Sequence, residues 1–171
     1  MQDIRKLAED LRSKSDEVRR LQKRIPRYVA AAAEKMKDAN FSAQGFVENG
    51  STRPRWKKRK HENPLTRGRR SLYGTGNLQN NVRAKALADR VSVGVDLTKV
   101  PYARMHNEGG QFVQYVKAHT RRHRKTGRRY QVQGFSRKIN MPQRKYLGYS
   151  PDIFKSAEKD IRHEFDKIFK N

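Results

Sequence analysis

Apolar residues recur along the first 25 positions at alternating spacings of three and four: Ile4, Leu7, Leu11, Val18, Leu21 and Ile25, with Lys14 filling the one polar place in the series. That rhythm predicts a helix with a narrow apolar stripe, fit for a neighbouring helix, another subunit or the chain's own core. Pro26 lacks a backbone donor and predicts a kink or a new helix start. "RYVAAAAEKMKDA" (27–39) then continues in strong helix formers. From Asn40 to Arg70 the periodicity fails, with Gly45, Gly50, Pro54, Pro64 and Gly68 as punctuation. This stretch reads as loop, with Trp56 as its anchor on the core.

Order resumes after a turn at Gly74-Thr75-Gly76. "NLQNNVRAKAL" suits a strand or a short helix, of which a strand is preferred. "DRVSVGVD" alternates Val91, Val93 and Val95 with small or polar residues, the pattern of a half-buried strand. Residues 111–116 and 129–135 are expected as the arms of a long hairpin around a basic tip, 117–128. Near the C-terminus Ser150 is placed to cap and Pro151 to open a helix. Ile153, Phe154, Ala157, Ile161, Phe165, Ile168 and Phe169 follow at helical spacing, so this helix is expected to cover a sheet. The fold class is α+β: a helical arm over 1–40, then a domain over 41–171. The domain comprises a basic loop (51–70), a small, mostly antiparallel sheet with an extended basic hairpin (111–138), and an amphipathic helix (151–170).

Composition sharpens this picture in two ways. Hydrophobic and charged residues are equally frequent at 34% each, so the core must be economical, and with no cysteine neither a disulfide framework nor a Cys-based zinc site is possible. No apolar run approaches the ~20 residues of a membrane span, and Met1–Arg5 lacks the apolar stretch of a secretory signal. The expectation is a soluble protein made inside the cell, with no membrane partner. The second point is charge. Residues 53–70 hold nine Lys/Arg and one acid, Glu62, while residues 117–145 hold eleven and no acid; together they supply +19 of the net +24. Such concentration implies a polyanionic neighbour, either nucleic acid or an acidic protein face.

"YARMHNEGG" (102–110) has the residue types of an active-site signature, an aromatic, a histidine, an asparagine, an acid and two glycines. His106 has no Ser or Cys at a recognisable spacing, and Glu108 is the only nearby acid, so the partners that acid–base catalysis requires are missing. His119 and His123 lie in a run of arginines that would repel a divalent cation, without a third ligand. "LYGTGN" lacks the Lys-Ser/Thr of a phosphate-binding loop. The same residues read better as structure: Gly109-Gly110 permits a tight turn, and His106 and Asn107 can bond backbone groups within it. The expectation is a chain that is not an enzyme and needs no cofactor or metal.

Four sparse motifs stand in order: "RPRWKK" (53–58), "LYGTGNLQNNV" (72–82), "VSVGVDLTKVPYARMHNEGG" (91–110) and "MPQRKYLGYS" (141–150). The series resembles the virion-morphogenesis or tail-completion family of tailed bacteriophages over roughly residues 41–171. The residues that carry the likeness are Trp56, Thr75, Gly76, Leu78, Tyr102, His106, Gly109, Gly110, Met141, Pro142, Arg144, Tyr146, Leu147 and Gly148. What the resemblance implies is a non-enzymatic neck or tail-end component, a head–tail connector or tail-completion protein whose copies assemble head-to-tail into a ring. Its partners would be the portal-adaptor and tail proteins of the virion, with genomic DNA met non-specifically in the channel. On this reading Tyr102 and His106 brace a turn, Tyr146 and Leu147 plug the core, and Arg144 also suits an inter-subunit contact. The cations placed to meet a polyanion or partner are Lys57, Lys58, Arg59, Lys60, Arg121, Arg122, Arg124, Lys125, Arg128 and Arg129. A free, non-sequence-specific nucleic-acid-binding protein is the alternative.

Overall fold

The computed structural model describes residues 2–59 and 67–170. Helix α1 (Gln2–Ala43) is a single rod of 42 residues, about 63 Å long at 1.5 Å per residue. The chain does not start a new helix at Pro26, which lies inside α1. One backbone bond is forfeited there, but Leu21, Ala30 and Ala33 on either side are buried, and that packing holds the helix together.

Helix α4 (Pro151–Lys170) opens as the sequence predicts, with Pro151 first and the Ser150 hydroxyl accepting from the Asp152 N–H at 3.3 Å. It runs back along α1. Lys35 pairs with Asp160 at 3.2 Å towards one end, and the Lys14 ammonium lies 5.7 Å from the Phe169 ring at the other. The apolar stripe of α4 therefore meets α1 along most of its length, and Ile153 and Phe154 share an apolar recess with Val91 and Val93. The first dozen residues of α1 project past the end of α4, leaving Ile4, Leu7 and Leu11 exposed at 72%, 59% and 60%.

Among the described residues the strands form four antiparallel pairs. The first corrects the loop expected over 40–70: α1 continues to Ala43, and β1 (Gly45–Glu48) pairs with β2 (Ser51–Arg55). Their connection is Asn49-Gly50, both at positive φ (51° and 69°), the two-residue turn whose twist matches a hairpin. Residues 77–86 are divided between the two readings. Helix α2 (Asn77–Asn81) gives way to β3 (Val82–Ala86), which pairs with β4 (Val91–Val95). This hairpin lies on α1, where the Glu34 carboxylate accepts from the Ala84 N–H at 2.7 Å. Burial pushes that carboxyl up, but the bonds from Lys37 and Ala84 outweigh it and hold it below its ordinary value.

Helix α3 (Ala103–Glu108) stands where a turn was expected. Beyond it the long hairpin exists with a different register: β5 (Gly110–Val116) pairs with β8 (Phe135–Met141), and the nested β6 (His119–Arg122) pairs with β7 (Arg129–Val132). The ladder is interrupted between Val116 and His119 on one arm and Val132 and Phe135 on the other, where a Cβ on residue 134 would stand tight against the Tyr115 hydroxyl at 3.1 Å. Both ladders keep one register across that gap, so 129–132 meets 119–122 rather than β5.

The core is Phe41, Trp56, Leu78, Val82, Val100, Ala103 and Tyr146. Phe41 is its hub, edge-on to Trp56 at 5.4 Å and tilted against Tyr146 at 5.7 Å. Phe41→Ala is expected to lower the unfolding free energy by about 3–5 kcal/mol, read from urea denaturation with an unchanged slope.

Candidate functional site

The four motifs converge on one knot, held mainly by side chains that bond distant backbone. Asp96 caps the turn after β4, accepting from the Thr98 N–H and hydroxyl at 2.9 and 2.6 Å. The turn delivers Val100 and then Ala103 into the core, both fully buried. One turn of α3 later, the Asn107 amide oxygen accepts from the N–H groups of both Tyr146 and Leu147, each at 3.0 Å. The His106 carbonyl accepts from the Arg144 N–H at 2.7 Å. Tyr146 reaches across to donate its hydroxyl to the Ala103 carbonyl at 3.0 Å, and its phenol is pushed up to about 12 by burial, then by Glu108 and Tyr102.

Two further elements grip the same segment. Asn40, on the last turn of α1, donates to the Tyr146 carbonyl at 3.1 Å and accepts from the Val47 N–H at 2.7 Å. Trp56 donates its indole N–H to the Lys145 carbonyl at 2.8 Å, and Arg144 donates Nε–H to the Lys57 carbonyl at 3.0 Å. Gly109 makes this approach possible. Its φ is 69°, and a Cβ there would stand 2.7 Å from the Gln143 nitrogen; only glycine passes so close to the incoming strand.

The motif residues thus sit together, with unequal parts. Trp56, Leu78, Arg144 and Tyr146 are buried, while Met141, Pro142 and Leu147 are half-buried at the rim. Gly76 opens α2 at positive φ (75°) and the Thr75 hydroxyl accepts from the Asn77 N–H at 3.4 Å. Gly110 begins β5 and Gly148 lies exposed beside the Lys145 side chain, which crosses to the Phe46 ring at 3.9 Å. Tyr102 is 41% exposed and meets His106 edge-on at 5.8 Å. Neither ring makes the brace; Asn107 and Asn40 do. Asn107 bonds backbone as the sequence suggests, though 39 and 40 positions away rather than within its turn; Asn40 is an amide near a helix end, which no local pattern distinguishes from an ordinary polar residue.

His106 is half-buried, and its Nδ1, shut off from solvent, has no hydrogen-bond partner among the described residues. Burial, then Arg144 and Arg59, hold its pKa below the ordinary value. Glu108 does not orient it but pairs with Arg104 at 3.0 Å. His119 has both ring nitrogens engaged, Nδ1 on the Lys117 carbonyl at 2.8 Å and Nε2 accepting from Arg121 at 3.0 Å, while Thr126 donates to His123 Nδ1 at 3.2 Å. No group of three His, Asp or Glu among the described residues is placed to hold a metal ion.

Two cationic features flank the knot. Arg121, Arg122, Arg124, Lys125, Arg128 and Arg129 are all exposed at the hairpin tip, whose turn is closed by Arg122 Nε–H on the Gly127 carbonyl at 3.1 Å. No residue from Gly110 to Gln143 is buried. The second is a cavity of about 810 Å³ between Lys58 and Arg59, the 71–78 segment, Tyr102 and His106, and the chain from Arg137 to Arg144. Lys57 is exposed beside it, and Lys60 lies outside the described residues.

Asn107→Ala strands two N–H groups and is expected to cost about 2–4 kcal/mol by denaturant unfolding, with Asn107→Asp retaining more stability because the acceptor remains. His106 carries a pH signature. Its folded pKa lies below the ordinary 6.5, so the unfolded chain takes up the proton first; stability is full above that value and falls as pH drops through the window below it. The melting temperature of the wild type should therefore fall more between about pH 7.5 and about pH 5 than that of His106→Gln.

The phage virion morphogenesis family matches the chain over residues 1–166. No curated protein and no solved structure matches it. The match includes α1, which the motifs alone left outside. The knot that gathers the four motifs is thus read in its family setting, and the chain belongs to the phage virion morphogenesis family, whose members serve in building phage virions.

Proposed function

We propose that this chain is a structural subunit of the phage neck or tail end, a connector or tail-completion protein that closes into a ring and joins head to tail without catalysis. The observation that carries the reading is the pair of elements that add no residue to the buried core of their own chain. The hairpin from Gly110 to Met141 has no buried residue, and the N-terminal part of α1 exposes Ile4, Leu7 and Leu11. Isolated hairpins and single helices are marginal in water, so both gain from a neighbour. Two different protruding elements suit a heterologous contact, which yields a ring when its rotation closes.

The partners on this reading are further copies of the chain, then portal-adaptor and tail proteins. It works in the virion after assembly in the host cytoplasm. An enzymatic role for His106 lacks support, since its Nδ1 has no partner to orient it. A second reading, non-specific nucleic-acid binding, is favoured by nine Lys/Arg and no acid between 110 and 141. The two are compatible if the tip faces a DNA channel.

Negative-stain microscopy and light scattering should show discrete rings, or assembly on mixing with portal-adaptor protein. A strictly monomeric chain that joins no virion component overturns the proposal, and steeply salt-dependent duplex binding by that monomer establishes the second reading instead. Deleting 119–132, which leaves Ala118 to be joined to Gln133, should change the melting temperature by less than about 2 °C while abolishing assembly.

A further inference from the structure

Arg144 is 5% exposed, yet no carboxylate among the described residues pairs with it. Its Nε donates to the Lys57 carbonyl, and Nη1 lies 3.7 Å from the Met141 sulfur. A guanidinium has five N–H donors, so others remain uncommitted. Burying a charge is costly unless a counter-charge compensates it, and removing a charge's partner in a buried site typically destabilises strongly. Arg144 lines the 810 Å³ cavity with Lys58, Arg59 and Arg137, and no acid among the described residues lines it. The positive field is felt within the site: burial and then Arg59 hold the Arg144 pKa below its usual value, as burial, Arg144 and Arg59 do that of His106.

The remaining lining decides what kind of anion fits. Leu72, Leu78 and Met141 interleave apolar surface with the cations, the mixture typical of a ligand recess. A duplex is too wide to enter it, and phosphate backbones are met by protruding cations, which this chain keeps on the hairpin tip. We propose that the cavity bounded by Lys58, Arg137 and Arg144 is a receptor for a glutamate or aspartate carried with apolar neighbours on a segment of a partner protein, Arg144 being its buried counter-charge. The proposal deepens the assembly reading by naming the chemistry of one partner, and rests on that reading only for which protein supplies the segment.

The test is an NMR titration of the His106 ring in the full chain, at about 150 mM salt to screen loose attraction. The probe is an acetylated eight-residue peptide of alternating glutamate and leucine, compared with its glutamine counterpart, inorganic phosphate and a short duplex. The glutamate peptide should shift the ring signals saturably and raise the His106 pKa, because a nearby anion favours the imidazolium. Lys58→Gln with Arg137→Gln, both outside the knot, should weaken that peptide by about tenfold at an unchanged melting temperature. Replacing the tip cations Arg121, Arg122 and Arg124 by Gln should leave it unaltered. Because the readout is peptide binding, a chain that forms no ring can still pass, and a ring-forming chain can still fail.

Equal binding of the glutamine peptide overturns the proposal, as does a tighter response to phosphate or duplex. Undiminished binding by the Lys58/Arg137 variant overturns it by moving the contact elsewhere. So does a shift in the His106 titration on Glu62→Gln without peptide, because the chain's own carboxylate would then supply the charge.

Discussion

The structure depends on one amide oxygen. Asn107 accepts from two consecutive backbone N–H groups, those of Tyr146 and Leu147, and so fixes the height at which the 141–150 segment passes α3. Everything else in the knot follows from that placement. Tyr146 then faces Phe41 and reaches the Ala103 carbonyl, Lys145 offers its carbonyl to Trp56, and Ser150 arrives beneath Val47, to whose carbonyl it donates at 3.3 Å, while capping α4. A core of seven residues cannot specify so many approaches by packing alone. Side-chain-to-backbone bonds across 39 to 106 positions supply the missing specification.

The same economy governs the charge. A chain of net +24 avoids desolvating its cations by keeping nearly all of those described at the surface, on loops, on the hairpin arm and on the outer faces of α1 and α4. Among the described residues most surface ion pairs are local: Arg104 with Glu108, Arg162 with Glu158 and Lys167 with Glu164 each join neighbours one helical turn apart. Lys35 with Asp160 reaches from α1 to α4, and exposed pairs add little stability. Lys37 is an exception, buried but matched by Glu34 at 2.6 Å. Arg144 is the other, and it has no such match among the described residues. That contrast is what separates the cavity from the rest of the basic surface.

Much of the fold was legible because it is periodic or capped. Val91, Val93 and Val95 alternate inward as written, and Ser150-Pro151 opens α4 at the residue the chemistry requires. The α+β class followed from these. The hairpin β1–β2 was equally signalled, by Asn49-Gly50, but its strands of four and five residues contain Gly45 and Pro54, which masked any alternation. α3 was read as a turn because six residues are too few to display a helical period. Of the knot, Trp56, Arg144 and Tyr146 were reachable through the family likeness. Asn107 is expected to bond backbone, but within its own turn rather than 39 positions away; Asn40 was not legible, since its partner lies 106 positions away and no pattern near it changes. The register of the long hairpin was off because its strands include His119–Arg122 and Phe135–Met141, polar and charged runs with little apolar alternation to fix it.

The arm has a geometric consequence. Phe112 and Val116 share one face of the ladder with Phe135 and Ile139, while Val113 and Tyr115 lie on the other. Since successive side chains point to opposite faces, lengthening both strands by two residues advances the tip by about 7 Å and preserves which face is which. Adding one residue to each inverts the tip relative to the base. Because nothing in the knot touches that choice, the arm's reach can change in paired increments without redesigning the body.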